Sequence, residues 1–448
     1  MFFKFLNDFN YMNIISIIVL IIIFVELLIS IYTLLFLLNY KEENREIEIK
    51  EYPKVSIIVP AYNEEKNIKE TIERLIELDY PKEKLEIIVV DDGSKDNTFE
   101  IAKEYEDKYN FIKVYKKENG GKASALNYGI KRCTGDYIVV LDADSIPQKD
   151  SLKKMIKYFY LYPDIYVVVP SVQVDETKNW VEKYQYIDYV VYNFSRIVLD
   201  QVNAIFIAPG PFSVFKKEVF EKVGLFDEKN ITEDMEIALR VQKNGLKIKY
   251  CPESVIYTKP PDTFIKLLKQ RARWFLGFIE NYTKYRDIEN EYLREFGFGI
   301  NLVLYILLPL YFSIIIYLYI YQLYNFFVNL YLTNFDIIYF IKGYFLFNSN
   351  IYLYQLLSTS ALILYIFSII LLVDFSLFIS FYRKYDKSKS WKSIILYSII
   401  YLIFSLYFNS IFILVAIYYK IFGRKLRWGG IVWDNSLINK IINKNKHG

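Results

Sequence analysis

The 448-residue sequence contains a single histidine, His447 near its C-terminus, and only two cysteines, Cys133 and Cys251. That scarcity removes a Cys/His zinc site, a Ser-His-Asp triad and any histidine general base from the body of the chain, and it leaves carboxylates as the acid/base groups. Two cysteines cannot build a disulfide framework. Charge of one sign is scarce as well: the net charge is +4 and no basic run is concentrated in the polar middle of the chain, which argues against a nucleic-acid partner. The Gly-x-Gly-x-x-Gly fingerprint is also missing after the first predicted strand, so NAD and FAD are set aside.

Apolar residues, in contrast, are abundant at 54%, with 19% aromatic, which is high for a soluble protein. They are unevenly spread. Residues 13–38 are apolar apart from Glu26 and a few small polar groups, longer than the ~20 residues a bilayer-spanning helix needs, and they lack a small-residue cleavage site; they predict a retained anchor. Residues 302–330 and 351–381 each exceed the spanning length, residues 335–347 are short enough to lie in the interface, and residues 394–419 suffice for a further crossing, giving four spans. Lys41, Arg45, Lys50 and Lys54 follow the first span against Lys4 alone before it, which places the next domain in the cytoplasm. The basic stretch 383–389 agrees with that orientation, whereas Lys420, Arg424, Lys425 and Arg427 after the last span do not, so the side of the tail stays open.

The polar middle of the chain alternates strand and helix signals. Residues 55–59, 85–90, 111–115 and 137–141 read as strands, with helices starting near Asn63, Asn97 and Lys122 between them. Such β-α-β-α-β-α-β alternation predicts a Rossmann-like, mainly parallel sheet with right-handed crossovers. Two of the strands end in acids, Asp91-Asp92 and Asp142-Ala143-Asp144. In open α/β sheets ligands bind outside the carboxyl ends of the strands, so both pairs are expected in one cleft. Asp142 and Asp144 repel each other unless a cation lies between them, and hard Mg²⁺ or Mn²⁺ suits two carboxylates that share the ion with substrate phosphates. Asp144 and Ser145 are equally good N-cap residues for a helix over residues 152–161.

In this order, at strand ends, Pro60-Ala61-Tyr62-Asn63-Glu64, Val90-Asp91-Asp92-Gly93-Ser94, Gly120-Gly121-Lys122 and Asp142-Ala143-Asp144 resemble the successive motifs of the family 2 inverting glycosyltransferases. Thr232-Glu233-Asp234 and Gln270-Arg271-Ala272-Arg273-Trp274 are similar to two further motifs of the membrane-embedded synthases of that family, which make cellulose, chitin, hyaluronan or poly-N-acetylglucosamine. The resemblance implies a GT-A fold in which Pro60, Tyr62, Glu64, Asp91 and Asp92 hold the base and ribose and Lys122 approaches the nucleotide. Asp142 would meet the ribose or the metal, and Asp144 the divalent ion. Asp234 would be the general base, the only acid/base type left where histidine is unavailable, although a carboxylate there also suits a helix N-terminus. Gln270, Arg271, Arg273, Trp274 and Glu233 would receive the diphosphate and the acceptor. On physical grounds alone, the arginines of residues 264–278 equally suit an amphipathic helix lying on anionic lipid.

The layout implied is an anchor at 1–40, a charged linker at 41–52, a GT-A domain at 53–259, interfacial helices at 260–298, a transmembrane region of about three spans at 299–422 and a basic tail at 423–448. The expected activity is transfer from a nucleotide-diphosphate sugar, which the family resemblance makes UDP-linked, to a growing polysaccharide, with export of the polymer. The rivals are transfer of one sugar to a lipid acceptor and, from another class, a transporter or scaffold without catalysis. Expected partners are the sugar donor, a glycan or lipid acceptor and membrane lipids; the expected location is the cell membrane, with the catalytic domain in the cytoplasm.

Overall fold

The structure, a computed structural model, describes residues 47–332 and 390–422 continuously, together with 334–336, 426–428, 431–433 and isolated positions elsewhere. The described residues fall into two compact units, one within Lys41–Leu302 and Tyr385–Gly448 and the other within Met1–Tyr40 and Val303–Lys384. The predicted anchor over 13–38 lies outside the described residues except for four positions, as do the predicted span over 351–381 and the basic stretch 383–389 except for one position each; most of 335–347 and of the tail lies outside them too.

In the first unit, β1 (Val55–Ala61) and β2 (Leu85–Asp91) are apolar on both faces and pair in parallel, from Val55 opposite Leu85 to Ala61 opposite Asp91. β3 (Ile112–Lys116) adds in parallel beyond β2, and β4 (Tyr137–Val140) pairs in parallel with the free side of β1. Helices α1 (Ile68–Ile76), α2 (Thr98–Glu106) and α3 (Lys122–Ile130) make the crossovers. In α1 the buried Ile68, Ile72 and Leu75 recur at helical spacing, as the periodicity predicts. Because the chain steps outward from β1 to β3 and then returns to β4 on the other side of β1, strand order reverses between β1 and β4. This switch point opens a crevice at the carboxyl ends of both strands.

Beyond β4 the sheet stops being parallel. After β5 (Ser145–Pro147) and α4 (Ser151–Leu161) come β6 (Ile165–Val174), α5 (Trp180–Gln201), β7 (Ser213–Lys216), α6 (Glu218–Val223), α7 (Glu233–Lys243) and β8 (Lys247–Thr258). β7 runs antiparallel to β4 and to β6, β8 parallel to β6, and β5 antiparallel to β8, for a sheet order β3-β2-β1-β4-β7-β6-β8-β5. Sequence patterning did not disclose β6 and β8, and the reason is visible in their pairing. Each carries an internal proline, which ordinarily argues against a strand. Here the register jumps from Pro170 opposite Cys251 to Ser171 opposite Val255, so the prolines sit at a shared irregularity.

Helix α8 (Phe264–Tyr285) follows the sheet, and α10 (Trp391–Phe422) returns to this unit after α9 (Ile300–Leu332), most of which belongs to the second. One face of α10 packs on α5 and α8 through Phe408 and Phe412 against Tyr184 and Leu267, and through Ala416 against Ile231 and Leu276. Its other face leaves Ile395, Leu396, Ile399, Leu414 and Ile417 exposed. Counted on the residues whose side chains are described, no helix is long and apolar enough to cross a membrane.

The loop after β4 is pinned to α1, where the buried Thr71 hydroxyl donates to the Ala143 carbonyl at 2.7 Å. Thr71→Val removes that donor and leaves a buried carbonyl unpaired, so we expect a loss of about 1–3 kcal/mol, read as a lowered melting temperature. An unchanged melting temperature would show that the contact does not hold the loop.

Candidate active site

The site begins where β4 ends. Leu141 N donates to Ile58 O at 3.0 Å and Ser145 N to Asp142 O at 3.0 Å, so the main chain is fixed on both sides of the two aspartates. Ala143 and Ser145 are buried, while Asp142 and Asp144 stay partly exposed. The capping alternative for Asp144 is overturned: Ser145 opens β5, and the N-cap of α4 is Asp150. Burial, and then the charges of Asp142 and Glu64, push the Asp144 carboxyl up to about 7, against the pull of Lys122. Among the described residues no group of three His, Cys, Asp or Glu is arranged to hold a metal ion. Two hard oxygen donors in mutual repulsion nevertheless fit Mg²⁺ or Mn²⁺ of the kind that takes one or two carboxylates and fills its shell with phosphate oxygens.

Lys122 is the first residue of α3, and its ammonium joins two separate parts of the cleft. Its Nζ lies 2.5 Å from Asp142 Oδ1 and 3.1 Å from Glu233 Oε1. Burial works against its charge, but Asp142, Glu233 and Asp234 together outweigh that and hold the amine well above its usual range. The loop of residues 208–212 lies directly on this pair. A Cβ on Gly210 would come within 2.8 Å of both Asp142 carboxylate oxygens, so a side chain there would have to displace the ion pair.

Asp234 stands in the first turn of α7, behind the N-cap Thr232. Its Oδ1 accepts from the Met235 N–H at 2.8 Å, and Ala208 N donates to its carbonyl at 3.1 Å, which ties α7 to the same loop. Burial and the adjacent Glu233 push its carboxyl up to about 6, while Lys122 and Arg273 act in the opposite direction. Glu233 itself is held below the usual range: burial opposes this, and Lys122 and Arg273 override it. The site thus holds two neighbouring carboxyls of opposite tendency.

Helix α8 is brought against this corner by a glycine. An added Cβ at Gly277 would collide with the Thr232 side chain, and the buried Asn281 donates to Thr232 Oγ1 at 3.0 Å. The close approach carries Arg273 to Ile231 O, at 3.0 Å from Nη1. Arg271 turns inward instead and pairs with Asp188 Oδ2 at 2.7 Å. Both arginines therefore serve protein acceptors, and the picture of arginines spread among lipid headgroups does not hold for them. Trp274 is half-buried beside Arg271, whereas the buried Gln270 Oε1 has no hydrogen-bond partner among the described residues.

The predicted nucleotide residues divide into two groups. Pro60, next to last in β1, lies opposite Val90, with Tyr62 and Glu64 partly exposed just beyond the strand; burial raises the Glu64 carboxyl against the pull of a hydrogen bond from Asn67. Asp91 and Asp92 are buried. Asp91 accepts from Ser94 N at 3.3 Å, and Asp92 accepts from Lys117 Nζ, Gly120 N and Gly121 N at 2.7, 3.0 and 2.7 Å, so it clamps the loop that launches Lys122. Sequence reasoning missed Gly277, Asn281 and Asp188. An isolated glycine inside a helical pattern was the one available signal of close packing.

With this geometry in hand, comparison with known proteins is informative. Residues 56–224 match the family described as Glycosyl transferase family 2. The chain is 35% identical over 236 residues to the poly-beta-1,6-N-acetyl-D-glucosamine synthase of Staphylococcus aureus (strain COL), which covers 52% of this chain and 56% of that one. It is 34% identical over 238 residues to a probable glycosyltransferase, YdaM, of Bacillus subtilis (strain 168), covering 51% and 56%. The matched stretch thus spans about half the length of these curated relatives. Among solved structures, a mannosyltransferase from Pyrobaculum calidifontis in complex with GDP-Man and Mn2+ has a TM-score of 0.52 at 24% identity, over 65% of this chain and 85% of that one. That likeness is one of fold, and it is GT-A-like.

Gly277→Ala tests the α8 contact. We expect the overlap with Thr232 to cost about 1–3 kcal/mol, read by thermal unfolding; wild-type stability in this variant would refute the close approach.

Proposed function

We propose that the chain is a membrane-bound inverting glycosyltransferase that moves a sugar from a nucleotide-diphosphate sugar, a UDP-sugar, to a growing polysaccharide and passes the polymer outward. The observation that carries this reading is the Lys122 bridge, because it joins the Asp142/Asp144 loop to the Glu233–Asp234 corner in one cleft. A donor diphosphate and an acceptor hydroxyl must meet in such a cleft for direct displacement.

In the reaction, Asp234 takes the proton of the acceptor hydroxyl as that oxygen attacks the anomeric carbon, and the bond from that carbon to the diphosphate breaks in line, inverting the centre. A carboxyl with a value of about 6 is ionised at neutral pH yet basic enough to accept a proton. Glu233 stays anionic and keeps Lys122 in place. Arg273, beside Glu233 and Asp234, meets the charge that grows on the departing diphosphate; Arg271, paired with Asp188, is less available for that task. A bound Mg²⁺ or Mn²⁺ at Asp142 and Asp144 would neutralise the diphosphate oxygens.

The exposed apolar face of α10 supports the membrane setting. Polymer synthesis is favoured over transfer of one sugar to a lipid by the similarity to the polysaccharide synthase. Sizing the product of the purified full-length chain, incubated with a panel of labelled nucleotide sugars and Mn²⁺, separates the two. A ladder of long glycans supports the proposal, and a single glycolipid would replace it.

Asp234→Asn should keep donor binding and lose transfer by about 10²–10⁴-fold. In the wild type, transfer should rise with pH through about 6, because Asp234 must be deprotonated to act; this acid limb should vanish in the variant, and near-normal turnover there would refute the base. Asp144→Ala should abolish the difference in donor affinity measured with and without EDTA. Persistence of that difference would place the metal elsewhere.

A further inference from the structure

Arg271 and Asp188 are only 2% and 5% exposed, and their contact joins α8 to α5. Burying two charges costs more than their attraction returns unless the remaining donors are satisfied. Among the described residues, Nε and Nη1 of Arg271 find no hydrogen-bond partner. An apolar pair of similar volume would hold the two helices together at least as well, so helix packing alone gives no reason for the charges.

What the pair does fix is an aromatic side chain. The Arg271 guanidinium carbon lies 3.8 Å from the centroid of the Trp274 ring and therefore covers one face of the indole. Tyr192 meets the same indole edge-on at 6.1 Å. A guanidinium that is itself tethered by Asp188 is a rigid brace, and an indole braced on one face keeps the other in a defined plane. The next residue before it, Arg273, is bonded to the corner that carries Asp234. The plane of the indole is thus set relative to the reacting centre by Asp188, a residue on a different helix.

We propose that Asp188 is a positioning residue: through Arg271 it holds Trp274 as the flat floor on which the acceptor sugar is presented to Asp234. This rests on the reading of the site as a sugar-transfer centre. Loss of the brace leaves donor binding intact and lets water compete with the sugar as acceptor.

The test uses the purified full-length chain with UDP-N-acetylglucosamine and, as acceptor, oligomers of N-acetylglucosamine. Asp188→Asn should lower the ratio of transfer to donor hydrolysis and raise the acceptor KM, each roughly tenfold, with the donor KM unchanged, and Asp188→Glu should restore both. Acrylamide quenching of Trp274, taken as the difference from a Trp274→Phe chain, should rise roughly fivefold in Asp188→Asn. Unchanged quenching and an unchanged ratio would overturn the proposal and leave the pair purely structural. If Asp188→Asn fails to fold, the double variant Asp188→Leu/Arg271→Met supplies the apolar replacement. It should match the wild-type melting temperature yet still show the loosened Trp274, and wild-type quenching there would equally overturn the brace. Absence of any transfer by the unaltered chain, across donors, would sink the functional reading and the acceptor role with it, while the quenching arm still decides whether Asp188 braces Trp274.

Discussion

The site depends on one ammonium. Lys122 lies between Asp142, delivered by the end of β4, and Glu233, delivered by the start of α7, and nothing in the chain order makes these two neighbours. Four carboxylates converge on this region, and without a cation their repulsion would push the elements apart. Lys122 offsets that repulsion for Asp142 and Glu233 and leaves Asp144 and Asp234 with raised values. These two acids with raised values are the ones to which the proposed mechanism gives a cation and a proton.

Holding Lys122 in place takes a chain of supports. Asp92 folds the Gly120-Gly121 loop so that α3 begins with Lys122 facing the cleft, and Gly210 lets the neighbouring loop lie on the ion pair. On the far side Gly277 and Asn281 lock α8 against Thr232, which brings Arg273 to the same corner. Helix α10 then covers α8 and α5 with aromatic side chains, so the wall of the cleft is packed from behind. Acid and glycine positions alternate along this path because charge has to be gathered tightly, and only the absence of a side chain lets backbones come that close.

Much of the first half of the fold could be read in advance. The strands ending at Asp91 and near Asp142, the face of α1 and the start of α3 at Lys122 all follow from local periodicity, because each is a strand buried on both faces or a helix with one apolar stripe. Strands β6 and β8 escaped, since Pro170 and Pro252 imitate strand breakers at a register irregularity that exists only once the two are paired. Residues such as Asp188 and Asn281 escaped for a similar reason: a polar residue in a helical pattern looks solvated until a partner from another helix is known.

By itself, the sequence determined which chemistry was available. Lacking usable histidine and cysteine, it confined catalysis to carboxylates, and its motifs set those carboxylates at the ends of strands and helices. Tertiary structure alone decided which acids were spent on scaffolding and which stayed available. Asp92 is consumed by three donors, whereas among the described residues Asp144 keeps only the weak 3.3 Å contact of Ser145 Oγ. Likewise Arg271 serves Asp188 while Arg273 reaches Ile231 just before α7, although the two are separated by one residue. The physical reason is that proton affinity and charge depend on burial and on neighbours within a few ångströms, and those neighbours come from distant parts of the chain.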